Sequence, residues 1–290
     1  MKKLIFLTVF LFSLTESHAQ LVEVQANYNN VGDVDFVAYN NSPVPLYLNL
    51  DFADLENTVF REPLPYIQLL DPGFNTLFTL LREPDAGVPR FNYQLKIFRS
   101  DPMAMVELDF PYLIPLTEGR EVEVFEVKSL DGFWGSEEPD SWNATGFVVQ
   151  SGEPVFASRN GIVVEIVGAQ RIGDPQTWYH TWTNSITVLQ PDGTLICYHN
   201  VLNNNKKLKL GEKIYAGQQL GIVASGTTGL VLLIFQHSLN SVDLRFVIPQ
   251  FVTGKEDAGI LLPTQKYTVI HPTEIRGLEM TNREKRRHLK

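Results

Sequence analysis

Short alternations of apolar and polar residues run through residues 184 to 235, and glycines interrupt them. In residues 208 to 223 the interruptions fall at Gly211 and Gly217, which tolerate the positive φ of a tight turn. A period of two is typical of β-strands, whereas a helix repeats its apolar positions every three or four residues. The pattern therefore predicts very short strands folded back on one another, with no helix in this stretch.

The flanking residues extend the same pattern. Residues 185 to 189 and 194 to 198 are predicted as two strands joined by the turn Pro191-Asp192-Gly193, and residues 230 to 235 as a further apolar strand. Together these segments predict a compact antiparallel β-domain.

A second series of strands is predicted between residues 21 and 128, with turn formers such as Asp71-Pro72-Gly73 between them. The predicted strands cover residues 22–24, 34–39, 45–52, 66–70, 76–81, 91–98, 105–110 and 122–127. Such a series is typical of an immunoglobulin-like β-sandwich, which we assign to residues 20 to 128. The spacing of its aspartates matches no calcium loop, so they are interpreted as solvated surface carboxylates, namely Asp33, Asp35, Asp51 and Asp54. We expect this domain to dock or to space the other.

The N-terminus has the organisation of a secretory signal. Lys2 and Lys3 precede an apolar run over residues 4 to 14, and Ala19 ends a small-x-small cleavage site. The run is too short to span a bilayer, and no cysteine follows the cleavage site to carry a lipid. We therefore expect residues 1 to 19 to be removed, and the mature chain to be exported, to the periplasm or the outer cell surface, without a transmembrane anchor.

Composition narrows the picture further. The formal net charge of −9 argues against general binding to nucleic acid or to anionic lipid surfaces. Cys197 is the sole cysteine, so there is no intramolecular disulfide, and it is interpreted as a small core residue.

Residues 129 to 152 are a linker with embedded aromatics that either pack between domains or stack on sugars, namely Phe133, Trp134 and Trp142. Residues 273 to 290 form a basic tail, interpreted as frayed and solvated.

The order of short motifs in the second half resembles the lysostaphin-type (LytM-like) zinc endopeptidases. The likeness is carried by residues 155 to 164, then Asp192-Gly193-Thr194 with Tyr198, then residues 211 to 221, and then residues 225 to 229 before an apolar strand. It covers about residues 130 to 270. The resemblance implies the duplicated hybrid motif fold of that family for residues 153 to 272, and it directs attention to a zinc site and peptidoglycan peptides.

The family's zinc ligands are a histidine and an aspartate early in the domain and a second histidine late in it. The motif Ala-x-Asp-Phe appears here as Ala144-Thr145-Gly146-Phe147, so Gly146 stands where the aspartate should be. No histidine occurs between Ala19 and Trp178, so the early histidine is missing. The resemblance therefore implies a degenerate site.

The later motifs depart from the family in the same direction. The strand motif His-x-His-Phe appears as residues 232 to 235, which puts Leu232 and Ile234 at the histidine positions. The motif Tyr-x-His appears as residues 198 to 200, which puts Asn200 at the catalytic position. His199 is then one residue out of place, and a slip of one residue turns a side chain to the other face of a strand.

The remaining histidines do not restore a site. None pair at the spacings that bring two imidazoles to one metal, and the candidates are His180, His199, His237 and His271. We predict no zinc and no other cofactor, and no serine or cysteine nucleophile with a neighbouring base. The resemblance implies an active-site groove, which here is either retained as a binding surface or filled in as core. The candidate walls of this groove are Trp178, His180, Trp182 and Tyr198.

The sequence thus favours a non-catalytic, peptidase-like envelope protein. It would bind peptidoglycan or an envelope protein, as an activator or scaffold of a cell-wall hydrolase. Two alternatives stay open: an active zinc metalloendopeptidase that cleaves peptidoglycan peptides, and a structural subunit of an envelope or secretion complex.

Overall fold

The structure is a computed structural model that describes residues 21–128, 140–168, 184–204, 207–226, 229–239, 244–254 and 257–289. The predicted signal peptide lies outside the described residues, as do residues 129–139 of the predicted linker. The described part is almost entirely β-structure, with two short helices at its C-terminal end. The prediction of an all-β fold is confirmed.

The N-terminal domain is a sandwich of two antiparallel sheets. Its strands are β1 (Val22–Tyr28), β2 (Val34–Asn40), β3 (Leu46–Glu56), β4 (Thr58–Val59), β5 (Tyr66–Leu70), β6 (Gly73–Arg82) and β7 (Arg90–Phe98). One sheet has the order β1-β2-β6-β4 and the other the order β5-β3-β7. Buried residues alternate with more exposed ones, as in β2, where Val34, Phe36 and Ala38 are fully buried. The immunoglobulin-like assignment stays a prediction.

The sandwich core is rich in aromatic rings. Phe36 stacks on Phe78 within one sheet and meets Phe52 and Phe91 of the other sheet, with ring centroids 4.7 to 5.9 Å apart. Such offset and edge contacts add about 0.5–1.5 kcal/mol for each pair beyond the burial of area. The predicted strand over residues 105–110 is absent, since this segment is irregular and leads from the sandwich to the second domain.

The second domain continues with short strands. They are β8 (Pro111–Tyr112), β9 (Glu121–Glu126), β10 (Thr145–Phe147), β11 (Pro154–Phe156), β12 (Gly161–Val167), β13 (Ser185–Leu189), β14 (Leu195–His199), β15 (Val201–Leu202), β16 (Lys213–Ile214), β17 (Gln219–Val223), β18 (Leu230–His237), β19 (Leu244–Phe246), β20 (Gln250–Val252), β21 (Ala258–Gly259) and β22 (Lys266–Thr268). The large sheet has the order β16-β12-β13-β14-β18-β10-β9-β22, with β19 beside β18, and its pairs are antiparallel.

Strand β9 corrects the predicted domain boundary. It was placed in the sandwich by its position in the sequence, but its residues pair with β10 and β22 in the large sheet. The sandwich strands therefore end at Phe98, and the chain up to residue 128 already contributes to the second domain. Alternation alone indicates a strand without naming its partner, which is why the sequence pattern missed this exchange.

The stretch around Gly211 and Gly217 forms short strands and tight turns, but the strands do not pair with each other. Strand β16 pairs with β12, whereas β17 pairs with β11 and β15 in a separate small sheet. Both glycines have the predicted positive φ, +78° and +80°. A Cβ at Gly211 would also lie 2.7 Å from the carbonyl oxygen of Pro43, so the backbone of this turn lies close to the backbone of the sandwich domain.

The main core lies between one face of the large sheet and the two small sheets β11-β17-β15 and β21-β20-β8. Large-sheet residues such as Phe147, Ile196 and Ile234 pack there with Val155 and Phe251 of the small sheets. The opposite face of the large sheet carries a second apolar cluster, to which Val44 of the sandwich domain belongs. That face is where the candidate site lies.

The C-terminal tail is ordered, which corrects the interpretation of a frayed terminus. It holds the helices α1 (Thr273–Arg276) and α2 (Asn282–His288), and the second begins with a capping box between Thr281 and Glu284. Each helix is far shorter than a bilayer is thick, so neither helix of the described residues could cross one.

Candidate functional site

The candidate site is defined by Gly146 and the residues that share its face of the large sheet. In antiparallel pairing, directly opposite residues point to the same face. Gly146 lies opposite Val231, and Val231 lies opposite His199. Two residues along, Leu233 lies opposite Cys197. We call the surface formed by these five residues the site face.

Leu232 and Ile234, the predicted histidine positions, lie on the other face. They pair with Tyr198 and Ile196, and all four belong to the main core. Their exposure is 2% and 1%, so each contributes about 1.5–3 kcal/mol of burial free energy. The structure therefore does not bring Leu232 and Ile234 together with Gly146, and the positions on β18 that face Gly146 are Val231 and Leu233.

Tyr198 does not line a groove. Its side chain is fully buried, and its hydroxyl accepts a hydrogen bond from the backbone N–H of Ser158 at 2.7 Å. Burial raises the pKa of the Tyr198 phenol, so it stays neutral. The predicted groove candidates Trp178, His180 and Trp182 lie outside the described residues.

The place of the family's aspartate is filled by an aromatic ring. A Cβ built on Gly146 would lie 2.4 Å from the ring of Phe125, its neighbour on β9. A Cβ on Gly229 would lie 2.8 Å from the same ring. Both glycines are thus needed for Phe125 to lie against the sheet, and a carboxylate at residue 146 would have no room beside it.

His199 is on the site face, although the sequence motifs turned it away. It ends β14 opposite Val231, and burial lowers the pKa of its imidazole to about 4, so it is neutral at physiological pH. Asn200 is not on the strand at all. It is a turn residue with φ of +70°, and its side-chain amide donates to the carbonyl oxygen of Gly229 at 2.7 Å. The strand register identifies His199, because Gly146 lies opposite Val231 and Val231 lies opposite His199.

Zinc does not fit these residues. A zinc site needs at least three protein ligands, and the site face has two side chains with ligating atoms, the His199 imidazole and the Cys197 thiol. His237 is six residues from Val231 on the same strand, a separation of about 20 Å. Among the described residues, no three His, Cys, Asp or Glu side chains are grouped closely enough to hold a metal.

Cys197 adds no reactivity to the site face. It is a free cysteine, as predicted, and it is 1% exposed. Burial raises the pKa of its thiol to about 12, so the thiolate needed for nucleophilic attack or metal binding is not formed. The prediction of a small buried core residue is confirmed.

The sandwich domain packs onto the site-face side of the large sheet. Arg99 forms an ion pair with Glu165 of β12, and Ser100 Oγ lies 2.7 Å from both the backbone nitrogen and Nδ1 of His237. Burial, with a smaller effect of nearby Arg99, lowers the pKa of His237 to about 4. The site face is therefore buried in its described part, with Val231 4% and Leu233 0% exposed.

Of the three aromatic residues in the predicted linker, Trp142 lies within the described residues, and it packs against the second domain. Its indole N–H donates to the carbonyl oxygen of Val127 at 3.0 Å, and its ring lies 5.1 Å from that of Phe246. It belongs to the same apolar cluster as Val231 and Leu233. Of the two interpretations of this residue, packing in the protein and stacking on a sugar, the structure favours packing.

The strongest cluster of charges lies elsewhere and serves the fold. Arg159 is fully buried, and its guanidinium bonds Asp192, Glu107 and Glu279 at 2.7 Å each. Burial lowers the pKa of Arg159, but the bond with Glu279 and the other charges outweigh it, and the pKa is raised overall. A shallow depression of about 570 Å³ beside Glu107 is lined by residues 106 to 110. Since the carboxylates are already paired with one cation, this cluster holds the connecting segment in place.

No family model matches the chain, and a search of curated proteins finds no match. Among solved structures, the chain is similar to the catalytic domain of the antimicrobial peptidase lysostaphin from Staphylococcus simulans. The identity is 20%, the TM-score 0.28, and the match covers 43% of this chain and 84% of that one. It is also similar to Csd3 from Helicobacter pylori, with 11% identity, a TM-score of 0.35 and coverage of 92% and 82%.

A solution structure of lysostaphin matches with 23% identity and a TM-score of 0.27 over 36% of this chain. The chain spans 39% of that lysostaphin and 42% of a LytM from Ruminococcus gnavus. At TM-scores this low, the matches carry no argument about activity or partners. The likeness to lysostaphin-type peptidases that the sequence motifs indicate is found again among these solved structures.

Proposed function

We propose that this protein is an exported, non-catalytic peptidase-like protein that acts in the cell envelope by binding peptidoglycan or an envelope protein. The observation that carries the proposal is the chemistry of the site face. Gly146, Val231 and Leu233 share the site face with one neutral imidazole, that of His199, and the ring of Phe125 fills the space beside Gly146. One imidazole is too few ligands to hold a catalytic metal and its water, and the other three residues supply none.

Hydrolysis of a peptide bond by this class of enzyme needs a metal-activated water and a group that polarises the carbonyl. His199 alone supplies neither the charge of a metal nor a second proton-transfer group. Its burial, at 8% exposure, also keeps a peptide from reaching it. The site face is suited to packing, and this supports a binding or scaffolding role over catalysis.

The first test incubates the mature protein, residues 20 to 290, with purified peptidoglycan. Sedimentation measures how much protein is bound, and chromatography of the supernatant measures released peptides. We expect protein in the pellet and no release above a protein-free control. Release that a chelator abolishes would support the alternative of an active zinc endopeptidase and contradict the proposal.

A second test asks which surface binds. The buried state of Val231 on the site face supports the filled-in form of the groove. Of the predicted groove walls, Trp178 and Trp182 are the candidates that this burial does not exclude. Trp178→Ala and Trp182→Ala should then leave the melting temperature unchanged but reduce binding. Trp142→Ala is the matched tryptophan control, since its ring packs on Phe246 and its loss should lower stability instead. Unchanged binding in the Trp178 and Trp182 variants would exclude these two residues from the binding surface.

A further inference from the structure

Helix α2 is fixed to the domain surface by one of its faces. Glu284 accepts hydrogen bonds from Lys213 Nζ at 2.7 Å and from the Tyr215 hydroxyl at 2.9 Å. One turn later, the His288 ring stacks on Tyr215 with centroids 4.0 Å apart. Arg276 of α1 donates to the carbonyl oxygen of His288 at 3.2 Å. The helix is therefore held in one orientation.

The opposite face of α2 is a stripe of arginines. At 3.6 residues per turn, Arg283, Arg286 and Arg287 fall within an arc of about 100° that excludes Glu284 and His288. All three are exposed, as is Lys285. In the part of the chain that the structure describes, none of these four side chains forms an ion pair. The stripe thus presents cationic groups to the surroundings from a rigid support.

The charge of this region is opposite to that of the whole chain. Residues 273 to 290 hold six Lys or Arg and three Glu, in a chain of net charge −9. Two of the three glutamates, Glu279 and Glu284, are already engaged by Arg159 and Lys213. An anionic surface would therefore be repelled by most of the molecule and attracted at the arginine stripe, which orients the approach.

An exposed leucine adjoins the basic residues. Leu278 lies between α1 and α2 and is 52% exposed. A dissolved polyanion would gain nothing from this side chain. A bilayer surface would, because leucine side chains enter the boundary between headgroups and acyl chains while arginines bind the phosphates.

We infer that the arginine stripe of α2, with Leu278, is a docking surface for an anionic phospholipid bilayer. The binding is peripheral and electrostatic, in line with the shortness of both helices. It is local to this surface, so it is compatible with the acidic character of the rest of the chain. It would place the protein against a membrane and leave its other surfaces free for an envelope partner.

The test is sedimentation of the mature protein with vesicles of phosphatidylglycerol and phosphatidylcholine. Vesicles of phosphatidylcholine alone and inorganic polyphosphate are the comparison arms. We expect binding to the anionic vesicles that weakens as salt rises, and little to neutral vesicles. Replacing the stripe (R283Q, R286Q, R287Q) should weaken vesicle binding by roughly a hundredfold.

The matched control removes the same charge from the sandwich domain, where three exposed cations are available. The control variant is R61Q, R90Q, K96Q, and it should bind vesicles as the natural protein does. Both triple variants leave Glu284 in place, so unchanged melting temperatures verify the fold. A stripe variant that binds vesicles normally would overturn the inference, as would an equal loss in the control.

A second change keeps the inference testable if the stripe variant unfolds. L278S should weaken binding to anionic vesicles and leave binding to polyphosphate unchanged. If polyphosphate binds tightly and vesicles do not, the surface recognises soluble phosphate polymers and the bilayer assignment is wrong. Absence of any vesicle binding at low salt would likewise overturn it. Neither outcome touches the peptidoglycan assay, so the two proposals fail separately.

Discussion

Phe125 and Gly146 are the residues that decide the character of the site face. The sequence motif identified Gly146 as the position without a carboxylate. It gave no sign of Phe125, because the contact depends on pairing between β9 and β10, which are 18 residues apart in the chain, and β10 lies within the predicted linker. The ring fills the space that a side chain at residue 146 would need, so the absence of a ligand at this position and the packing of the face have one structural cause.

Gly146→Ala tests this contact. The new methyl group would meet the Phe125 ring at 2.4 Å, so we expect a loss of about 1–3 kcal/mol in the free energy of unfolding, typical of overpacking. Denaturant unfolding measures it. Gly168→Ala is the matched control, since a Cβ there meets nothing within 4 Å. Adding Phe125→Ala to Gly146→Ala should remove the clash component, and additive losses in the double variant would contradict the account.

The buried histidines predict how stability depends on pH. The pKa values of His199 and His237 are lowered from 6.5 to about 4, so between these values the unfolded chain binds protons that the folded chain does not. Stability should therefore fall as the pH falls from about 6.5 to 4, by up to on the order of 3 kcal/mol for each histidine. Melting temperatures across this range measure it.

His199→Asn and His237→Asn should each flatten that dependence, because asparagine does not titrate. The slope of stability with pH is the quantity compared, so a difference in stability between the variants at neutral pH does not affect the test. A variant as steep as the natural protein would show that its histidine does not carry the effect.

At the scale of elements, the sequence predicted most strands but not their partners. β13 was placed at its observed bounds and β14 and β18 within two residues of theirs, because buried apolar runs end at turn formers such as Gly193. The sequence motif predicts that Leu232 and Ile234 of β18 face the same side as Gly146, whereas the structure places Val231 and Leu233 there. The phase of an all-apolar strand cannot be read from its own sequence, and only the pairing of Gly146 with Val231 fixes it.

Helix α2 escaped the sequence analysis because its residues lack an apolar face. Its stability comes from the capping box and from Glu284, which contacts residues about 70 positions earlier in the chain. Thr281→Ala should therefore cost about 1 kcal/mol of local stability. Hydrogen exchange of the α2 amides measures it, with Asn282→Ala as the control. Unchanged exchange in Thr281→Ala would contradict the importance of the cap.

At the scale of the whole molecule, the two domains share apolar and polar contacts. Val44 belongs to the cluster that includes Val231 and Leu233, and Asp101 donates its backbone N–H to the Gly193 carbonyl oxygen at 2.8 Å. The predicted boundary at residue 128 could not anticipate this, because composition marks the linker and says nothing of how the domains pack. The sandwich therefore supports the second domain directly.

Val44→Asp tests the coupling of the domains. A carboxylate at a position 5% exposed would be buried without a partner, so the sandwich should separate from the large sheet. We expect one calorimetric unfolding transition in the natural protein and two in the variant. Val31→Asp is the control, since Val31 is 74% exposed in the same domain. Two transitions in the natural protein would contradict the coupling.

The central claim is that the site face has lost its metal chemistry, and the zinc content of the mature protein tests it most directly. Protein purified in zinc-containing buffer and dialysed against a weak chelator is measured by elemental mass spectrometry. Because Gly146, Val231 and Leu233 offer no ligands, we predict no stoichiometric zinc. One zinc per chain that survives dialysis, and that a strong chelator removes together with peptidoglycan cleavage, would contradict the account.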